Sequence, residues 1–115
     1  MVDLPVADLS AIARAQLDAA RGAASRRSAM TVHGGGPAAL SQTVMALLDG
    51  ASLGEHDNPG DATLQVLAGR VRLEWPGGSA EAQAGQLVPI PPARHSLVAL
   101  EDSAVLLSAT RLPQP

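Results

Sequence analysis

The first apolar residues of the chain recur at helical spacing. One face of a helix would carry Leu9, Ile12, Ala13 and Ala20. This periodicity predicts a helix over residues 8–24, with Asp8 or Ser10 as its cap and Gly22 weakening its end. Because the apolar face is narrow, we expect the helix to pack on the outside of the main domain or on a partner subunit.

After the glycine run at 34–36 the pattern changes to short apolar segments separated by Gly and Pro. The predicted strands are 43–48, 63–67, 71–73, 87–90, 95–99 and 104–110. Gly69 lies between two of them and suits a hairpin turn. On the strand that starts at residue 62, Ala62, Leu64 and Val66 share one face, and Thr63, Gln65 and Leu67 share the other. Short strands at regular intervals are typical of an all-β barrel or sandwich.

The composition excludes several classes of function but does not identify a particular function. The 115 residues are enough for one domain, and there is no cysteine for a disulfide or a thiolate metal site. A net charge of -3 argues against nucleic acid as a partner. Since Trp75 is the one aromatic residue and all eight basic residues are Arg, Schiff-base chemistry is excluded and aromatic stacking platforms are scarce.

The chain shows no targeting or membrane segment. Asp3 and Asp8 lie where a signal peptide would carry basic residues and an apolar run. No apolar stretch approaches the roughly 20 residues of a membrane span. We therefore expect a cytoplasmic protein that does not enter a membrane.

Two spaced motifs carry the most specific information. In the first, Gly50 is followed by five residues, His56, an intervening residue, Asn58, three residues, Ala62, six residues and Gly69. In the second, five residues separate Gly85 from Pro91, and His95 follows shortly after.

Both motifs resemble those of the cupins, and the stretches 49–53, 69–73 and 88–97 are similar to a group of small bacterial members. In the first cupin motif a second histidine stands at position 58 and a glutamate at position 62. In the second, Ala93 replaces a glycine, His95 comes one residue early and Ala99 replaces an asparagine. The resemblance implies a cupin jelly-roll β-barrel over residues 31–112, preceded by an N-terminal helical extension over 1–30.

The resemblance also implies where a site would lie. In metal-binding cupins three histidines and a glutamate converge inside the barrel, a set that suits Fe, Mn, Ni or Zn. This chain keeps His56 and His95, while Asn58 is a poor ligand and Ala62 offers none. His33 or the acidic residues at 55, 57 and 61 are further candidates to replace the missing metal ligands. The alternative is a hydrogen-bonded polar cluster of His56, Asn58 and His95 in the barrel mouth.

Arginines offer a second chemistry. Arg94 beside His95 would hold a carboxylate or phosphate, or would form a surface ion pair with Glu55 or Asp57. The cluster of Arg21, Arg26 and Arg27 has the same two interpretations, phosphate binding or a solvated helix end.

Three functions follow as hypotheses. The first is a small cupin that binds a small molecule through His56, Asn58, Arg94 and His95, with a partly lost metal site. The second is a metal-dependent enzyme of the oxygenase or isomerase type that uses His56 and His95. The third is an interaction module, and in each case we expect a homodimer.

Overall fold

The computed structural model describes residues 3–56 and 60–110, apart from the side chains of Glu55 and His56. Helix α1 spans Leu9–Arg21. The Asp8 side chain caps it by accepting a hydrogen bond from the Ala11 amide at 3.1 Å. The predicted helix is confirmed, although it ends at Arg21, before residue 24, because Gly22 ends it as its cap. In the described ranges no helix is long and apolar enough to cross a membrane.

Within the described residues, nine strands follow the helix and form two antiparallel sheets. They are β1 Arg27–His33, β2 Leu40–Leu47, β3 Ser52–His56, β4 Ala62–Ala68, β5 Arg70–Trp75, β6 Gly78–Gln83, β7 Leu87–Pro89, β8 His95–Ala99 and β9 Ser103–Thr110. One sheet has the order β1-β2-β9-β4-β7, and the other has the order β3-β8-β5-β6. The fold is therefore all-β with one short helix, as the sequence predicts.

The core lies between the two sheets. It is built from small aliphatic side chains, as a chain almost without aromatic residues requires: Leu47, Leu64, Val66, Val71, Leu73, Ala82, Leu97, Ala99 and Val105. The face predicted for β4 is confirmed, since Ala62, Leu64 and Val66 are buried while the alternate positions are half-buried. A smaller cluster, in which Ala20 of α1 meets Ala46 and Leu48, fastens the helix to the outside of the first sheet.

Three strands are missing from the set that the hydrophobic pattern predicts: β1, β3 and β6. The longest of them is β1. It pairs with β2 from Arg27↔Leu47 to His33↔Gln42, with a register shift between Thr31 and His33. It also crosses residue 30, where the helical extension was expected to end. Its polar and small residues conceal the strand because none of its side chains reaches the main core.

The turn at Gly69 defines one end of the barrel, which we call the Gly69 end. The hairpin predicted here is wrong, because β4 belongs to the five-stranded sheet and β5 to the four-stranded sheet, so the turn carries the chain from one sheet to the other. Gly69 has a φ of 81°, and a Cβ there would collide with the Asp102 carbonyl oxygen and the Ser103 hydroxyl. Buried Ser103 ties this end together, since its Oγ accepts a hydrogen bond from the Arg70 amide at 2.9 Å. Chain reversal here is thus held by close packing as well as by backbone conformation.

Candidate functional site

The opposite end of the barrel collects the residues that the sequence marks for chemistry. Strand β4 runs to the Gly69 turn in one sheet and β5 runs away from it in the other, so Ala62 and Trp75 both lie toward the far end. Strand β8 pairs with β5 through Leu73↔Leu97 and Glu74↔Ser96, and it therefore places His95 at the same end. We call this region the His95 end.

His95 is a buried imidazole in an aliphatic barrel. Its side chain is 2% exposed and lies on the inward face of β8, which it shares with Leu97 and Ala99. The ring Nδ1 lies 2.8 Å from the Ala93 carbonyl oxygen. Because a carbonyl oxygen only accepts, Nδ1 carries the proton of this bond, and in the neutral ring Nε2 holds the lone pair.

The backbone brings His56 next to His95. The two are Cα partners across the antiparallel β3–β8 pair, beyond a register shift between Leu53 and His56. The backbones of these two residues, one from each motif, therefore lie side by side, as the resemblance implies. The His56 side chain lies outside the described residues, as does Asn58, so the expected polar cluster of His56, Asn58 and His95 stays a prediction.

The walls of the His95 end are apolar. Buried Ala62 points inward from β4, so a methyl group stands where the motif has a glutamate. Half-buried Trp75, Val88 and Ile90 pack against the main core. From the sequence, Trp75 stands out only as the one aromatic residue. In the structure it lies on the inward face of β5, which it shares with Leu73, and forms part of the wall of this site.

A metal centre is not assembled by the side chains that the structure describes. In those residues no group of three His, Asp or Glu side chains is close enough to hold an ion. Asp61, one candidate for compensation, is exposed, and its backbone binds Thr110 through the 2.8 Å bond from the Thr110 amide to the Asp61 carbonyl oxygen. The side chain at 55 and residue 57, the other acidic candidates, lie outside the described part. The donor set described here thus does not fit the implied metal, and no catalytic step follows from it.

Arg94 lies on the rim. It is exposed and borders a surface depression of about 300 Å³. The other residues around this depression are Glu74, Trp75, Pro76, His95 and Ser96. A cation, a carboxylate and an indole therefore surround the entrance beside His95. The ion pairs expected with Glu55 or Asp57 involve side chains outside the described part.

His33 lies in different surroundings. It is exposed at the end of β1 and borders a groove of about 570 Å³. The groove is walled by the segment Pro5–Leu9 and by Ile12, Met30, Thr31, Val32, Gln42 and Leu106. The depression beside His95 has none of these residues in its lining. Sequence reasoning missed this groove because β1 itself was not predicted.

Comparison with known proteins supports the architecture. No protein-family model matches the chain, and no curated protein matches its sequence. A conserved protein of unknown function from Streptococcus pyogenes has a similar structure, with a TM-score of 0.74 at 22% identity over 99% of this chain and 93% of that one. A cupin 2 conserved barrel domain protein from Salinispora arenicola gives 0.67 at 21% identity, over 96% and 90% of the two chains.

A cupin superfamily protein from Desulfitobacterium hafniense also gives a TM-score of 0.67, at 14% identity over 73% of this chain and 76% of that one. At such identities the likeness concerns the fold. Together with the two sheets and the buried His95, it shows that this chain has the conserved-barrel fold of the small cupins, with one short N-terminal helix.

Proposed function

We propose that this protein binds a small organic molecule at the His95 end of the barrel. The observation that carries the proposal is the buried His95 imidazole, which is anchored through Nδ1 to the Ala93 carbonyl at 2.8 Å. A ring fixed in this way presents Nε2 in a defined direction, which favours recognition of one polar group on a ligand.

The apolar walls indicate the rest of the ligand. Ala62, Trp75 and Ile90 offer aliphatic and indole surface, and ligand pockets commonly combine such walls with a few oriented polar groups. Arg94 at the rim adds a cation that suits a carboxylate or phosphate on the same ligand. The ligand we propose has an apolar body, a hydrogen-bond donor for the imidazole and an anionic group at the entrance.

The loss of the carboxylate at position 62 supports an organic ligand over a metal ion. Imidazole and amide donors carry no negative charge to offset a dication, and Ala62 supplies only a methyl group. The chain has lost the anionic donor while keeping the barrel and the oriented histidine. This combination suits a binding protein, such as a sensor or an accessory subunit.

A thermal-shift screen of a metabolite library tests this proposal. Wild type, His95→Gln and His33→Gln should be screened in parallel, with His33→Gln as the matched control on the exposed groove. Organic acids with an apolar body should raise the Tm of wild type and His33→Gln, and that rise should vanish in His95→Gln. If every stabilising compound acts equally on His95→Gln, the proposed site is wrong.

One observation favours a metal-dependent cupin enzyme as a second candidate. His56 and His95 are cross-strand partners, and metal-ligating histidines usually donate their other ring nitrogen to a carbonyl or carboxylate, as His95 does to Ala93. Elemental analysis of untagged wild type beside His56→Ala tests it. Near-stoichiometric Fe, Mn, Ni or Zn in wild type alone would support the enzyme, and metal-free protein after metal re-addition would contradict it.

A further inference from the structure

The groove of about 570 Å³ described above lies between helix α1 and the five-stranded sheet. Further along the helix the two elements are in contact, since Ala20 is buried against the sheet and the Ser28 hydroxyl donates to the Gln16 side chain at 2.5 Å. Toward the start of the helix this contact opens, and Leu9 and Ile12 are half-buried along the groove. The groove is therefore the part of the interface between helix and sheet that side chains do not fill.

Most of the groove wall is apolar. Alternation along β1 from Ser28 sets Met30 on the side of the strand that faces α1, and Val32 lines the groove beside it. Leu106 of β9 and Val6 of the N-terminal segment complete these walls. Met30 is 46% exposed and Val6 is 94% exposed, so a molecule in the groove would remove apolar surface from water. The volume is also within the range of about 300–1,000 Å³ that is typical of small-molecule sites.

Carboxylates and guanidinium groups are unevenly distributed around the groove. Asp8 borders it and Asp3 lies in the same N-terminal segment, whereas no arginine of the described residues lines it. Asp8 also caps α1, and the helix start carries about half a positive charge, which is less than the full negative charge of the carboxylate. The remaining charge is negative, and it favours a cation over an anion.

Gln42 and His33 add hydrogen-bond acceptors to the groove. Gln42 Nε2 donates to the Ser108 hydroxyl at 3.1 Å, so the atom of this amide that can accept from a ligand is Oε1. The exposed imidazole of His33 accepts through one ring nitrogen when it is neutral. A carboxylate, an amide oxygen and an imidazole together suit a group with several N–H donors, and an alkylammonium is such a group.

We infer that this groove is a second binding site, and that its ligand is a small lipophilic cation. The apolar chain of an alkylammonium lies along the walls, and its ammonium group meets Asp8. The inference does not depend on the proposed function. Charge separates the two sites, because Arg94 favours an anionic group at the His95 end while Asp8 disfavours one in the groove.

Probes that differ in charge and length test the chemistry of the ligand. In NMR titrations of wild type in mildly alkaline buffer, octylammonium should bind more tightly than octanol, and octanoate should bind least. Butylammonium should bind about tenfold more weakly than octylammonium, because fewer of its methylene groups leave water. Octanoate that binds as tightly as octylammonium, or butylammonium of equal affinity, overturns the inference, and so does an octylammonium that does not bind.

Asp8→Asn tests the charge of the groove without removing the helix cap, because Asn caps helices as well as Asp does. This variant should bind octylammonium about threefold or more weakly than wild type, since an exposed ion pair is lost. Asp18→Asn is the matched control, since it makes the same change at an exposed position of the same helix, and it should bind like wild type. Equal affinities in the two variants would contradict the role of Asp8.

Wild type alone locates the bound probe. Octylammonium should shift the methyl resonance of Met30, assigned with Met30→Leu, because this side chain lines the groove. It should leave the fluorescence of Trp75, the one tryptophan, unchanged, because Trp75 lies at the His95 end. A probe that alters Trp75 and leaves Met30 unchanged binds at the His95 end and refutes the second site. A failure of the proposed function would leave this readout intact, so the two proposals are tested separately.

Discussion

Two buried polar residues lie at opposite ends of one barrel and are held in different ways. At the Gly69 end, Ser103 Oγ accepts from the Arg70 amide at 2.9 Å and lies within donating distance of the carbonyl oxygens of Arg70 at 3.0 Å and Glu101 at 2.7 Å. At the His95 end, the imidazole is anchored through Nδ1 to the Ala93 carbonyl, two residues away.

This difference indicates that Ser103 has a structural role and His95 a functional one. The Ser103 hydroxyl is committed to backbone groups of two neighbouring segments, so its role is to close the barrel. His95 is buried beside the depression that Trp75 and Arg94 line, which is an arrangement for meeting another molecule. We therefore expect substitutions at the Gly69 end and in the core to change stability, and substitution of His95 to change binding.

The largest loss of stability should come from the core between the two ends. Leu64→Ala should lower the free energy of unfolding by about 2–5 kcal/mol, because Leu64 is buried and its removal leaves a cavity. Thr63→Ala, on the outward face of the same strand, should change it by less than about 1 kcal/mol. Urea denaturation of both variants checks this. Equal losses would mean that the inward face of β4 is misassigned.

A smaller loss is expected at the Gly69 turn itself. Gly69→Ala should cost about 2–4 kcal/mol, since the methyl group meets the backbone of Asp102 and the residue must keep a positive φ. Gly50→Ala is the control, because Gly50 has a similar φ of 82° but open space around it. The difference between their unfolding midpoints isolates the collision, and identical midpoints would show that the turn relaxes freely.

Ser103→Ala should cost about 1–3 kcal/mol, because the Arg70 amide loses its partner in a buried turn. Ser108→Ala is a milder control, since half-buried Ser108 accepts from the Gln42 side chain at 3.1 Å. Thermal unfolding followed by circular dichroism measures both. A Ser103 variant as stable as the Ser108 variant would undo the contrast between the ends of the barrel.

The smallest effect on stability is expected at His95. His95→Gln should lower the free energy of unfolding by about 1 kcal/mol or less, since the bond to Ala93 is between neutral groups and the amide remains able to form another. Binding of any ligand found for wild type should nevertheless be abolished, as isothermal titration calorimetry would show. If His95→Gln is much less stable than wild type but its folded form binds the ligand equally well, His95 has a structural role and not a binding role.

The parts of the fold that could be predicted from the sequence are those with a local signal, either a regular alternation of inward and outward residues or a glycine that a turn requires. Strand β4 alternates sharply between core and outer face, and Gly69 stands where only a residue without a Cβ fits, so periodicity and turn chemistry identify both. Strand β1 is stabilised by pairing with β2 and by the covering helix, and neither leaves a hydrophobic period in the sequence.

The candidate site could be predicted only in outline. Spacing linked His56 and His95, and the strand register confirms that their backbones meet. The wall formed by Trp75 was missed because a single aromatic residue beside a turn has no periodicity to reveal its direction. The bond from His95 to Ala93 depends on the local path of the Pro91–His95 loop, which no spacing rule describes.

The most direct test of the account is nitrogen NMR of the histidine rings, with the three histidines assigned from His→Gln variants. The neutral His95 ring should be in the tautomer protonated at Nδ1, and a stabilising ligand should shift its Nε2 resonance while leaving His33 unchanged. A His95 ring protonated at Nε2, or a ligand that shifts His33 instead, would contradict the account.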